Sequence, residues 1–473
     1  MASSSSPSRV HSISTKDDRR LVRKFDTLVL PLTCILYLFA YLDRSNLGNA
    51  RLQGLPDDIL GGDPTGLLFD WITSIFYISY ILFQIPGGIL GKLVSPRRWI
   101  GAVVMGWGLA SSLQAATHNF AGIMTARFFI GIFEAGFGPV LTVYFSYFYT
   151  KEEVGFRLAL WFGFAAVAGA FGGLIAYGVD QIDSSLAHWR LLFLIEGLPT
   201  IVLGAFTFFF LPERPDRSPW LQGAEKTLAI ERMSRGLGRE GPRTVNKKHI
   251  FDALSDWRKF TVCTGVIYFG LNIALASLSV FLPTIIRVPV PPYAVAAFVM
   301  VVLGYITDRV QSRGLFMAAT SLIGAIGYLL LLTCKTNNRV RYFATFLSCS
   351  GTYATIGLTL AWFSHNLGSE TKRAVGIAGI MVIGQCGSVL GSHIYPSGDS
   401  PLYIFIAHFP ERLSASKVCC TFEFLASICC VILSISYRID NAKRNRIYGE
   451  PVAGVALDTT QMADKTPEFR YVP

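Results

Sequence analysis

Charge is scarce in this chain. Asp, Glu, Lys and Arg make up 15% of its 473 residues, against 52% hydrophobic residues. Soluble domains average roughly 25% charged residues, so the composition excludes an ordinary water-exposed globule and points to a membrane protein. No CxxC spacing is present, which argues against a structural zinc site. Cys34, Cys263, Cys349, Cys386, Cys419, Cys420, Cys429 and Cys430 lie in apolar segments, where a free thiol behaves as a small hydrophobe, and their spacing suggests no disulfide framework. A P-loop is missing too, so nothing points to ATP as the drive. No nucleophile, metal-ligand set or paired-acid cluster gathers at one membrane face, so an enzyme is not expected, nor a cofactor or metal. The opening residues, "MASSSSPSRVHSISTKDDRRLVRKF", lack the apolar core of a cleavable signal peptide. Residues 1–25 therefore read as a disordered cytoplasmic tail.

What the chain does have is long apolar runs. A membrane helix needs about 20 apolar residues, and twelve stretches qualify: 27–46, 69–91, 99–117, 120–147, 157–178 and 189–211, then 260–286, 289–306, 315–334, 342–364, 373–396 and 417–437. This predicts an all-α membrane protein of two six-helix bundles, 26–211 and 260–437. A polar linker (212–259) joins them and a C-tail (438–473) follows. The net charge of +11 sits in tails and loops rather than in one patch, so positive-inside topology explains it better than a nucleic-acid partner. Arg19, Arg20, Arg23 and Lys24 in the N-tail, the linker, and Arg438, Lys443, Arg444 and Arg446 in the C-tail share one side if the helix count is even. Both termini are thus expected in the cytoplasm, although the loop with Lys335, Arg339 and Arg341 dissents.

The halves echo each other. "GILGKLVSPR" (Gly88 to Arg97) and "GYITDRVQSR" (Gly304 to Arg313) repeat a Gly and an Arg at one interval, each between the second and third helix of its half. Parallel six-helix repeats imply alternating access around a site near the midplane.

Two apolar stretches then carry charge where hydrocarbon is expected: "LYLFAYLDRSNLGNA" (Leu36 to Ala50) and "TARFFIGIFEAGFGPV" (Thr125 to Val140). A charge at bilayer centre costs roughly 2.5–3.5 kcal/mol on insertion scales and usually faces a bundle interior with a partner. Arg127 and Glu134, seven apart, return to one helical face about 10 Å apart along the axis. Asp43 and Arg44 are adjacent and point in different directions, so one can line a cavity while the other pairs sideways. The plainer alternative caps a helix end with Asp43 and Arg44 snorkelling to the interface. Tyr41 and Tyr80 share these helices as site residues or ordinary aromatic packing. Gly131, Gly136, Gly138, Gly163, Gly169, Gly172 and Gly173 suit close helix approach.

"YLDRSNLGNA", "FYISYILFQIPGG", "FEAGFGPVLTVYFSYFY" and "SETKRAVGIAG" resemble the major facilitator superfamily, within it the anion:cation symporter family, and most the fungal allantoate and nicotinate permease group. The resemblance runs from about Phe25 to Tyr437. It implies that Asp43 and Glu134 take up protons while Arg44 and Arg127 hold a substrate carboxylate, with Tyr41 and Tyr80 at substrate-contacting positions. It also implies a conformational motif at Gly304, Asp308, Arg309 and Arg313, from which the first copy departs with Lys92 in the acid's place. Gln385 stands where the family usually has Asn, which weakens the ligand role it would inherit. The junction within "FLPTIIRVPVPPYAVAAF" (Phe281 to Phe298) is shorter than in relatives, leaving 18 residues for helix eight, so the second half is expected to be irregular there. Residues 405–415 look like an added outer segment.

The expected function is proton-coupled symport of a small organic anion by a monomer in the plasma membrane, with membrane lipid around it. Alternatives are an exporter of a pathway metabolite and a non-transporting nutrient receptor on the same scaffold. An allantoate-like ureide, a nicotinate-like vitamin, a sugar acid and a dipeptide all satisfy the same cationic pocket.

Overall fold

The computed structural model describes residues 15–64, 66–150, 153–234, 247–255, 266–285, 290–334, 337–394, 415–450 and 462–473. Among them the regular structure is helical. The first half holds α1 (Thr15–Leu28), α2 (Leu30–Leu52), α3 (Leu55–Ile59), α4 (Leu67–Leu93), α5 (Pro96–Gln114), α6 (Phe120–Ala135), α7 (Phe137–Phe145), α8 (Val154–Asp180) and α9 (His188–Phe210). The linker contributes α10 (Gly223–Ser234) and α11 (Lys247–Ser255). The second half holds α12 (Phe269–Ile285), α13 (Val290–Val310), α14 (Arg313–Thr333), α15 (Asn338–Asn366), α16 (Glu370–His393) and α17 (Ala415–Tyr448).

Nine spans among the described residues are long and apolar enough to cross a membrane, with α1–α2 and α6–α7 each counted as one. Helices α5, α12 and α15 bring the crossings to twelve. Their weaker apolar signal has local causes. Helix α5 opens on Pro96, Arg97 and Arg98, and α12 has 17 residues. Helix α15 carries Ser348, Thr352, Thr355, Thr359 and Ser364, all buried inside the bundle. Ser348, Thr355 and Thr359 donate within the helix, Thr355 to the Gly351 carbonyl at 2.7 Å, and Thr352 donates to Glu423 of α17.

The expected single helix over 120–147 is broken at Gly136, between α6 and α7. Pro139 has no backbone N–H and cannot continue the ladder to Ala135. Trp99 Nε1 donates to the neighbouring Gly136 carbonyl at 3.0 Å. The expected shortfall at helix eight does not hold either: α13 has 21 residues, about 31 Å at 1.5 Å per residue, enough to span a core of about 30 Å. It gains length by running on through the loop motif to Val310, and Pro291 and Pro292 sit in its first turn, where proline is tolerated. Residues 286–289 of the junction lie outside the described residues, as do 405–414 of the added segment.

Each bundle takes part of the linker. On one side, Lys24 of α1 donates to Glu225 Oε2 of α10 at 2.7 Å, and Arg157 of α8 forks onto Asp26 at 2.7 and 2.8 Å. Arg232 of α10 pairs with Glu153, beside α8. These partners explain why ordered helix begins at Thr15, a correction to the disordered tail expected for residues 1–25; residues 1–14 lie outside the described residues. On the other side, the stretch expected as a C-tail (438–473) holds the end of α17, which runs on to Tyr448, and a docked segment, 462–473. Trp362 Nε1 donates to the Val472 carbonyl at 2.7 Å, and the Val472 N–H donates to Asn366 at 2.9 Å. Tyr471 stacks on Tyr437 with ring centres 4.9 Å apart. Lys372 Nζ donates to Asp464 Oδ1 at 2.5 Å, with both side chains almost fully buried. Lys465 reaches Asp252 of α11 at 2.9 Å, which holds that carboxyl below its ordinary range.

The two bundles touch at both ends. Near the linker face, Lys92 Nζ donates to Thr371 Oγ1 at 2.6 Å. At the opposite end of the same helix pair, Ser74 Oγ lies 3.2 Å from Ser392 Oγ and 3.3 Å from His393 Nδ1. Helix α8 packs along α13 in the same way, Gly169 meeting Tyr293 and Gly155 meeting Asp308. The described residues thus show an occluded arrangement. Removing one partner of a buried ion pair costs about 3–5 kcal/mol, so Asp464→Ala is expected to lower the apparent melting temperature of the purified protein by several degrees, and an unchanged melting curve contradicts this packing.

Candidate functional site

The four charges in the apolar stretches meet inside the first bundle. Asp43 is 0% exposed, Arg127 1% and Glu134 2%. They face protein, not lipid. Adjacent positions on a helix point about 100° apart, so Asp43 and Arg44 of α2 serve different neighbours. Arg44 turns toward α4 and α6: its Nη2 donates to Glu134 Oε2 at 2.6 Å, and its guanidinium lies over the rings of Phe76 (4.9 Å) and Tyr80 (5.2 Å). Asp43 turns toward α5, where Ser111 Oγ donates to its Oδ1 at 2.5 Å. Arg127 donates Nη1 to the backbone carbonyl of Asp43 at 3.1 Å. The result is a crossed arrangement, Arg44 with Glu134 and Arg127 with Asp43, about two turns apart along α6.

Several polar atoms here are buried without a hydrogen-bond partner among the described residues: Asp43 Oδ2, Arg44 Nε, Arg127 Nε and Nη2, and Glu134 Oε1. A buried polar group left unpaired costs about 1–3 kcal/mol. Such groups gather where a site awaits water or a ligand. The two open N–H groups of Arg127 form a fork of the shape that takes a carboxylate through paired hydrogen bonds.

Tyr80 belongs to this cluster through Arg44. Tyr41 lies beside it but turns to the second bundle, its hydroxyl 2.8 Å from the Tyr353 hydroxyl, with Tyr293 packed on Tyr353 at 5.7 Å between ring centres. Gln385 of α16 is buried with its Oε1 unpartnered, and no described contact joins it to either arginine. Asn46 bonds Asn49 at 2.6 Å and packs on Gly172.

The loop motif sits at the linker face. Asp308 accepts from the Phe156 N–H at the start of α8 at 2.5 Å and pairs with Arg313. A carboxylate at a helix N-terminus also meets the positive end of the helix dipole. A Cβ added at Gly304 would lie 2.7 Å from Ala159 Cβ, so the glycine sets how closely α13 approaches α8. Arg309 stands apart, over the Tyr305 ring at 5.0 Å. The first half repeats the geometry with different chemistry: Lys92 meets Thr371 at the start of α16, a side-chain contact where an acid would have met backbone amides.

Two buried acids were missed in the sequence. Glu196 of α9 is 1% exposed, neighbours Asp43 and Arg127, and has neither carboxylate oxygen partnered among the described residues. Glu423 of α17 is 0% exposed and accepts from Ser321 and Thr352, each at 2.6 Å. Their signal was plain enough: one acid inside an apolar run, "FLIEGLPT" and "CCTFEFLAS".

A family model described as Major Facilitator Superfamily matches residues 33–392. The chain belongs to the major facilitator superfamily. It is 33% identical over 480 residues to the major facilitator-type transporter hxnP of Emericella nidulans, covering 97% of this chain and 94% of that protein. It is 28% identical to the high-affinity nicotinic acid transporter of Saccharomyces cerevisiae, covering 100% and 88%. Among solved structures, the proton:xylose symporter XylE shares the fold with a TM-score of 0.59 at 12% identity, covering 91% of this chain and 98% of that one. This is therefore a multi-pass membrane transporter of that superfamily, with two bundles of six crossings.

The charged cluster depends on close packing of α4 on α6. A Cβ at Gly131 would fall 2.4 Å from the Phe76 carbonyl oxygen and 2.0 Å from Ser79 Oγ, whereas one at Gly178 would meet nothing within 4 Å. Overpacking costs about 1–3 kcal/mol. Gly131→Ala should therefore lower the melting temperature in detergent while Gly178→Ala leaves it almost unmoved; equal effects would refute the packing described.

Proposed function

We propose that this transporter is a proton-coupled symporter of a small organic carboxylate, alternating between states open to the two membrane faces, with the linker face in the cytoplasm of a plasma-membrane protein. The observation that carries the reading is the buried Arg44–Glu134 pair, 2.6 Å long, one helical stretch from an arginine whose fork is open. In the substrate-free carrier Glu134 neutralises Arg44. An entering carboxylate competes for Arg44 and takes the free N–H groups of Arg127. Glu134, deprived of its counter-ion in a low-dielectric site, then takes a proton, because burial disfavours the uncompensated anion. Asp43 does the same beside Arg127. Anion and proton thus enter together, and neither moves alone without leaving a charge buried.

Tyr80 extends the anion site by its place against the Arg44 guanidinium, and Tyr41 reports its occupancy to the second bundle through Tyr353. Gln385 supplies an amide from the facing bundle once the halves rock. The clasp of Gly304, Asp308 and Arg313 on α8 holds the linker face shut, with Arg309 at its edge. The name of the yeast nicotinic acid relative supports an aromatic carboxylate as the first substrate to try.

Uptake of labelled nicotinate, allantoate, a sugar acid and a dipeptide into cells, with and without an inward proton gradient, tests the reading, with nicotinamide as the uncharged counterpart of nicotinate. At least one carboxylate should enter faster with the gradient, and nicotinamide should not. A charge-assisted hydrogen bond contributes about 1.5–3 kcal/mol, so Arg127→Ala should cut that uptake by roughly tenfold or more, and Glu134→Gln should remove its dependence on the gradient. Wild-type proton-driven flux in either variant sinks the assignment.

A further inference from the structure

The charge count of the cluster does not close on the four residues named so far. Asp43, Glu134 and Glu196 are three buried acids, and Arg44 and Arg127 are two buried bases. Three minus two leaves one negative charge without a counter-ion inside the bundle. Arg44 is engaged with Glu134, so the surplus falls on the group formed by Asp43, Glu196 and Arg127.

Among the described residues, the surroundings of Glu196 offer no further cation to offset it. Asp43 of α2 and Arg127 of α6 act on it electrostatically, and the Arg127 guanidinium reaches α9 one turn earlier, 5.9 Å from the centre of the Phe193 ring. From α5, its most extensive neighbour, come the hydroxyls of Ser111 and Ser112. Ser111 is spent on Asp43, and Ser112 donates to its own helix at Gly108. Helix α8 has no charged side chain between Arg157 and Asp180, at its two ends. The basic groups at the start of α9 are engaged elsewhere, His188 with Asp180 and Arg190 with Asp58. Glu196 therefore sits fully buried with both oxygens open, within electrostatic reach of an Asp43 with Oδ2 open and an Arg127 with two N–H groups open.

We propose that Glu196 and Asp43 share a single proton in the substrate-free carrier, Arg127 balancing the one charge that remains, so that Glu196 is the third acid of the coupling site. This rests on the proton-coupled reading above and adds a proton to it. The carrier waits with one proton already held between α2 and α9. When a carboxylate takes the Arg127 fork, the Asp43–Glu196 pair loses its cation and binds a second proton from solvent, an O–H bond forming on the carboxylate that was ionised. Glu423 differs because both its oxygens accept hydrogen bonds from hydroxyls and no arginine faces it, so it serves packing in the second bundle.

Infrared difference spectroscopy on the purified full-length protein without substrate, near neutral pH in water and heavy water, reads the proton directly. The probe is the C=O stretch of a protonated carboxyl, which shifts on deuteration. Sharing predicts that Glu196→Gln and Asp43→Asn each remove the same one-carboxyl band, because the acid left behind ionises against Arg127. Glu196→Asp should keep the band, which separates proton sharing from simple misfolding. Survival of the band in Asp43→Asn would mean that Glu196 is a permanently neutral acid acting alone, and survival in Glu196→Gln would remove it from the site; either overturns the proposal. Because no substrate is added, the result stands apart from the uptake screen, and each reading can fail without the other.

Discussion

A charge inside a lipid-embedded bundle must be neutralised by something close at hand, and the first half of this protein is arranged around that constraint. Hydrocarbon does not screen it, and an unpaired charge at bilayer centre costs roughly 2.5–3.5 kcal/mol on insertion scales. Helices α2, α4, α5, α6 and α9 are consequently fixed by polar contacts as well as by packing. Arg44 bridges α2 to α6, Asp43 bridges α2 to α5, and Arg127 reaches back from α6 to the α2 backbone. Small residues let these bridges be short. Glycine at position 131 sets α6 directly on α4, and the chain breaks immediately beyond Glu134, where Pro139 interrupts the ladder.

The two halves handle polarity differently. The first concentrates ions near its centre; the second lines α15 with hydroxyls and buries Glu423 under two of them. On the proposed reading, an anion that enters between the halves changes the charge balance of the first, while the second offers mainly neutral donors and aromatic rings. The contact between Tyr41 and Tyr353 joins these unlike surfaces at mid-depth. At the linker face the repeat is geometric rather than chemical. Asp308 grips the start of α8 through a backbone amide and pairs with Arg313, while Lys92 donates to the Thr371 hydroxyl at the start of α16.

Much of this was legible in the residues. The apolar runs marked the crossings, and the seven-residue interval placed Arg127 and Glu134 on one face. The opposite headings of Asp43 and Arg44 follow from adjacency on a helix. Other features depend on tertiary partners that periodicity does not encode. The break at Gly136 is steadied by Trp99, which donates its Nε1–H to the Gly136 carbonyl. The helix from Thr15 needed Glu225 and Arg157, far along the chain, to hold its charged face. Segment 462–473 reads only as part of a C-tail because it follows the last apolar run; Lys372, Trp362 and Asn366 hold it in the fold. Glu196 was passed over because a lone acid without an adjacent base draws less notice than an acid–base pair. Its partners lie on α2 and α6, visible only after folding.

The central claim is that negative substrate and positive proton cross together because one buried network cannot hold either alone. Purified protein in liposomes enclosing a pH-sensitive dye tests it most directly, with the carboxylate added outside and no gradient imposed. The account predicts that the lumen acidifies as labelled anion accumulates, and that the two signals rise with one time course. Entry of the anion with no movement of lumenal pH would contradict it.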